Sequence, residues 1–407
     1  MHYTKIIKSL SVIIMVIIAG CVSGPEKKPE PVFFPEPPFP ARIQYLRSYT
    51  TAADIEQKKS VFEVFITGQQ DRIAYLDKPY GVAIHDGKIY VCDTNATVFV
   101  LDLKKKSFLP LEAATRGLGK VVQPLNISID KEGNKYVADP IGRKVVLYDK
   151  NDVYIKSYTI PDQWKPLDAV AYEDRLYVAD GFGGHIRVFN KETGELVQSI
   201  GNEPDPKYGR LILPTNITFD NEGYLYVADA GKFQIVKLDR DGHIRGVIGE
   251  LGDRVGSFTR PRGVAIDKQN RLYAVDAAFN NVQIFNKDGR LLFFFGQFGI
   301  KRGSLFLPAK IAIDYDNISY FQEYVDPHFE IEGIMIVTSQ FGDYMVNVYA
   351  LGKEKGKTYP TEEDVIKELK DKEEKFKKEH PEQGNKPEEI KGETVKSSED
   401  ASSQPGK

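Results

Sequence analysis

Between about residues 76 and 350 the chain alternates short apolar runs with Gly, Asn and Asp, and no stretch sustains the 3.6-residue period of an amphipathic helix. In one unit the runs are Val264–Ile266, Leu272–Val275, Val282–Phe285 and Leu291–Phe295, whose length and composition predict four strands joined by tight turns. Aligned on a proline and on the next Tyr-Val-x-Asp, the unit repeats. Pro79-Tyr-Gly-Val-Ala-Ile84 precedes Tyr90-Val-Cys-Asp93, and Pro124-Leu-Asn-Ile-Ser-Ile129 precedes Tyr136-Val-Ala-Asp139. Pro166, Pro214 and Pro261 open further copies ending at Asp180, Asp229 and Asp276, and a degenerate sixth begins at Pro308. The prolines are spaced by 45, 42, 48, 47 and 47 residues, within the range of one four-stranded propeller blade. The pattern predicts an all-β, six-bladed β-propeller.

The sixth unit offers Ile311–Ile313, Ile334–Val337 and Val346–Tyr349 and then turns polar at Lys353, so it lacks an outer strand. The alternating run Arg42–Tyr49 has β-formers and no partner nearby in sequence, and is expected to complete blade six, removing an open edge. An insertion at about 317–333 carries Tyr320, Phe321, Tyr324 and Phe329, as an interaction element or a local cover. Two connectors also match: Gly249-x2-Gly252-x3-Gly256-x-Phe258-x2-Pro261 and Gly296-x2-Gly299-x3-Gly303-x-Leu305-x2-Pro308. The Pro-x-Gly-Val-Ala-Ile-Asp strand, the Tyr-Val-Ala-Asp strand and the Gly-x-Phe-x2-Pro connector resemble NHL repeats, a propeller family. The family's Asn-x-Arg is largely missing, with Lys144, His185, Gln234 and Asn281 at its Arg position, so ligand roles of that Arg do not carry over.

The flanks differ in kind. Lys5 and Lys8 precede an apolar run, Leu10–Ile18, long enough for a signal peptide and too short to span a bilayer. It ends in Ile18-Ala19-Gly20-Cys21, which resembles the bacterial lipobox. That resemblance implies cleavage after residue 20 and a diacylglycerol and acyl (palmitate) anchor on Cys21, hence a cell-envelope lipoprotein facing the periplasm or the cell surface. Val22 in place of an Asp favours the outer membrane. Residues 21–40, with seven prolines from Pro25 to Pro40, read as a stiff tether, 41–352 as the propeller and 353–407 as a charged helix and disordered tail. That tail holds 13 Lys and 15 Asp+Glu, too little apolar material for a core; Thr361-Glu-Glu-Asp364 is a capping box for a helix ending near Glu379.

A formal charge of −3 gives no field for nucleic acid, and none is expected as a partner. After cleavage Cys92 is alone, which excludes an intrachain disulfide and multi-cysteine metal sites. His85, His185, His243, His328 and His380 stand singly, without metal-ligand spacing, and no nucleophile elbow occurs. Peptide α-amidating lyases, an enzyme class on this fold, need channel histidines that this chain does not supply. The recurrent Asp93, Asp139, Asp180, Asp229 and Asp276 read as turn-bonding residues.

The position two after each proline should ring the channel mouth: Gly81, Asn126, Asp168, Asn216, Gly263 and Lys310. Asn126, Asp168 and Asn216 replace a family-typical Gly and could meet ordered water, an Asp168–Lys310 contact, Ca²⁺ or a polar small molecule. The Ca²⁺ reading resembles the gluconolactonase-like hydrolases, and no cofactor is otherwise expected. The same mouth should gather Tyr80, Phe182, Phe233, Phe279 and Phe341 with Arg143, Lys144, Lys232, Arg260 and Arg262, the composition of a surface for a protein or small-molecule ligand. The expected function is a noncatalytic binding or assembly module; the alternative is a metal-dependent, lactonase-like or esterase-like hydrolase using the channel.

Overall fold

The computed structural model describes residues 29–56 and 74–359. The expected signal peptide, Cys21 and the helix expected at 361–379 lie outside the described residues. Six antiparallel sheets form six blades, and their first strands contact one another around the axis, that of blade six closing against that of blade one. Five blades have four strands in sequence order. In blade five these are Pro261–Ile266, Leu272–Asp276, Asn281–Phe285 and Leu291–Phe295, within a few residues of the expected runs. Second strands such as Leu225–Asp229 are buried at every residue, because each sheet is covered on both faces by neighbouring blades. The core is accordingly six hydrophobic clusters, one in each interface between adjacent blades.

Blade six closes the ring as expected: Ile43–Tyr49 pairs with Val346–Glu354, Ile43 opposite Leu351 and Tyr49 opposite Val346. Three boundaries need correction. Residues 21–40 are not tether throughout, because Val32–Phe34 adds a fifth strand, Val32 opposite Tyr45 and Phe34 opposite Ile43. The cause is apolar: the Phe34 ring lies 5.7 Å from Phe295 and 6.3 Å from Tyr349. The second strand of blade six begins at Phe329, so the insertion is shorter than 317–333. The last strand runs to Glu354, past the expected boundary at 352, and the chain divides into Met1–Gly356 and Lys357–Lys407.

The insertion forms a 3-10 turn, Ile318–Tyr324, with Phe321 buried, and it covers the closing strand. Gln44 Nε2 donates to the Tyr324 carbonyl (3.1 Å), Asp326 N donates to Gln44 Oε1 (3.0 Å), and Arg47 donates to the Tyr324 hydroxyl. Gly87 N of blade one donates to Asn317 Oδ1 (2.7 Å). Of the two readings of this insertion, these contacts are those of a local cover. Among the described residues no helix is long and apolar enough to cross a membrane.

Candidate functional site at the channel mouth

Each blade's recurrent aspartate is fully buried at the mouth and accepts backbone N–H groups from two segments at once. Asp229 takes Ile212 N and Leu213 N (both 2.9 Å) from the incoming connector and Gly231 N (3.1 Å) from its own loop. Asp139 does the same with Val122 N, Gln123 N and Gly142 N, and Asp276 with Thr259 N, Arg260 N and Ala278 N. The structural role expected of these residues holds and is wider than a turn: the carboxylate fastens the strand arriving from the previous blade. Blade six has Ser339 instead, whose Oγ accepts Phe306 N (3.2 Å).

Below these staples lies the ring. Gly81 and Gly263 are required by close approach, since a Cβ at Gly81 would sit 2.6 Å from Asn126 Cα and one at Gly263 would sit 2.7 Å from Lys310 Cα. Where the backbones part, a side chain fills the gap and bonds the next blade. Asn126 Nδ2 donates to the Leu167 carbonyl (2.7 Å), and Asp168 accepts Ala169 N and, from blade four, Ile217 N (both 3.0 Å). Asn216 Nδ2 lies 3.5 Å from Asp168 Oδ2. Lys310, from the blade diametrically opposite, places Nζ 2.5 Å from Asp168 Oδ2. Asn126, Asp168 and Asn216 are fully buried and Lys310 nearly so. The ring is thus drawn together as a plug.

A calcium site needs several anionic or carbonyl oxygens free to converge. This ring has one carboxylate, bonded to two backbone amides and an ammonium, so its donor set does not fit a dication. Two buried acceptors, Asn126 Oδ1 and Asn216 Oδ1, have no partner in the protein and suit a small donor such as water. Beneath the plug is a cavity of about 250 Å³ lined by aliphatic side chains including Val82, Ile127, Ile217 and Ile311. Among the described residues a cluster of Asp239, Asp241 and His243 occurs in an outer turn of blade four, where Arg245 already engages Asp239.

The mouth residues divide. Tyr80 is buried, with the Arg262 guanidinium 5.4 Å from its ring, and Arg262 donates to Gln340 Oε1 (2.7 Å). Burial pulls the Arg262 guanidinium below its ordinary pKa and pushes the Tyr80 hydroxyl up. Phe233 and Phe279 are half-buried, while Phe182 (63% exposed) and Phe341 (43%) face solvent. Arg143 and Lys144 donate to the carbonyls of Asp162 and Lys120, and Lys232 to that of Tyr208. Arg260 is exposed.

A structure of a Bacteroides thetaiotaomicron protein of unknown function is similar over 76% of this chain and 75% of its own, at 16% identity and a TM-score of 0.52. The likeness is one of fold. An auxiliary nutrient binding protein from the same organism aligns over 69% of this chain and 70% of its own (12% identity, TM-score 0.49). Virginiamycin B lyase from Staphylococcus aureus aligns over 58% and 74% (17% identity, TM-score 0.43). No protein-family model and no curated protein matches the sequence.

Sequence reasoning missed two features. Lys135 is completely buried, and its Nζ lies 2.7 Å from Asp152 Oδ1, beside Lys88 Nζ (2.9 Å from Oδ2) and the Tyr90 hydroxyl (2.8 Å), a network locking blades one and two. The repeated Tyr of Tyr-Val-x-Asp was the available signal, since Tyr136 and Tyr273 also donate to aspartates of the first hairpin turn. The second is a set of exposed apolar side chains on the connectors between blades.

Proposed function

We propose that the protein is a lipid-anchored propeller of the bacterial cell envelope, a noncatalytic binding or assembly module of NHL type whose partner is a protein held by the mouth-side loops of blades two and three. The Asp168–Lys310 pair across the channel carries this reading: among the described residues the ring's one carboxylate and its one ammonium bond each other, so neither is free to act on a substrate. The same side exposes Ile141 (57%) and Phe182 (63%), with Arg143 beside them, a combination found at protein interfaces. The lipobox-like Ile18–Cys21 supports the anchor and the envelope location.

Three measurements test it. Cys21→Ser should move the protein from membrane to soluble fractions, and an unchanged distribution would remove the anchor. A photo-crosslinking residue in place of Phe182 should give one discrete protein adduct in intact cells, reduced by Ile141→Asp. Release of acid from a panel of lactones and esters, abolished by Asp168→Ala, would instead establish the hydrolase.

A further inference from the structure

The two matching connectors fold alike. Leu251 bridges to Phe258 in one and Phe298 to Leu305 in the other, Gly249, Gly256, Gly296 and Gly303 take positive φ, and Phe258 and Leu305 are completely buried. Each connector is therefore a pinned loop whose tip cannot fold back onto the domain. Its tip is nevertheless apolar: Leu251 and Phe298 are each 62% exposed and Ile300 is 85% exposed. Phe298 packs at 4.9 Å on Phe306, and Phe306 at 5.7 Å on the exposed Phe341, so the patch continues onto blade six. The first loop carries Glu250 and Asp253 against Arg254, so acid is in excess there, whereas residues 296–307 carry Lys301 and Arg302 and no acid. The row Phe298–Phe306–Phe341 is continuous, and exposed apolar surface of this kind marks a contact with something other than water.

The N-terminal segment leaves the domain at the same place. Arg302 Nη1 donates to the Glu30 carbonyl (3.0 Å), and Val32 and Phe34 lie against Gly303. Pro29 lies eight positions after Cys21, a stretch that spans at most about 29 Å when fully extended. A lipid on Cys21 thus holds these loops within reach of the headgroup layer.

The geometry points to the loops 249–258 and 296–305 as a membrane-contacting surface, their apolar tips entering the interfacial layer of an anionic bilayer while Lys301 meets headgroup phosphates. This rests on the anchor at Cys21, and it orients the molecule: blades five and six face the bilayer, and blades two and three, across the ring, face away from it toward a partner.

The test uses the full chain carrying Ile300→Trp, since the other tryptophan, Trp164, is buried and changes little. Lipidated protein, its lipid verified by mass, is reconstituted in phosphatidylcholine–phosphatidylglycerol vesicles with brominated acyl chains. The new indole should shift to the blue and be quenched. The unlipidated Cys21→Ser chain should bind such vesicles weakly, and adding Ile300→Asp should cost that binding about tenfold while leaving the melting temperature unchanged. An unquenched, unshifted indole on a lipidated, vesicle-bound chain would overturn the proposal and leave the anchor standing, the tips then facing a protein or water. Quenching in a chain that proves to carry no lipid would keep the loop surface and remove the anchor.

Discussion

Lys310 of blade six reaches across the channel to Asp168 of blade three, Nζ to Oδ2 at 2.5 Å, with side-chain exposures of 7% and 0%. Removing the carboxylate strands a buried ammonium. Asp168→Ala should therefore cost about 3–5 kcal/mol in chemical denaturation. Replacing both partners, as in Asp168→Asn with Lys310→Met, should cost less than Asp168→Ala alone, because no unpaired charge remains and the amide still accepts from Ile217 N. A single variant as stable as wild type would mean that the pair does not bridge the channel. Because the carboxylate is engaged, wild-type melts in millimolar calcium and in chelator should coincide; a rise with calcium that Asp168→Ala lacks would restore the metal reading.

The blades were legible because propeller packing imposes a repeat. Buried on both faces, the second strand must be apolar throughout, and its end must supply an acceptor for the incoming connector, so Tyr-Val-Ala-Asp recurs as text. The ring at Asn126, Asp168, Asn216 and Lys310 was legible in position and open in chemistry, since sequence spacing cannot tell whether opposed side chains meet. Val32–Phe34 was hidden by its prolines: a strand on the outer edge needs few ladder bonds and tolerates Pro nearby, and its partner Tyr45 lies across a turn that local pattern does not reveal. Lys135 and Asp152 both belong to blade two, and Lys88 and Tyr90 of blade one join them from outside that repeat; the recurring Tyr marked the place, and the lysines that complete the network recur in no other copy.

The closing strand should dominate stability. Ile43, Tyr45, Leu46 and Tyr49 are each at most 3% exposed, and burying four large apolar side chains is worth about 6–12 kcal/mol. Deletion through Tyr49 should leave a chain without a cooperative melt. Deletion through Pro40, which takes from the described fold only Val32–Phe34 and its half-buried rings, should lower the stability by a few kcal/mol and keep the transition cooperative. Equal melts for the longer truncation and wild type would refute the closure.

Cys92 should be unreactive. It is completely buried, and burial, with Asp168 adding to it, pushes its thiol well above the ordinary value. In Cys21→Ser, where it is the remaining thiol, a disulfide reagent at pH 8 should titrate nothing until denaturant is added. Prompt reaction in the native state would show that blade one opens.

Acid should act through Asp152. Burial works to raise its carboxyl, but hydrogen bonds from Lys135 and Lys88, the charge of Lys135 and the Tyr90 hydroxyl outweigh it and hold the group below its ordinary value. A carboxyl depressed on folding binds protons more readily when unfolded, so its contribution is present above the ordinary carboxylate value and is lost as pH falls through the folded one. Lys135→Met takes away the buried partner and leaves the carbonyls of Asp149 and Lys150 without their donor, a cost of about 1–3 kcal/mol at neutral pH. With Asp152 closer to its unfolded titration, the variant should lose less further stability than wild type between pH 5 and pH 3, so the two stability curves converge in acid. Curves that stay parallel over that interval would show that Lys135 does not control the carboxylate.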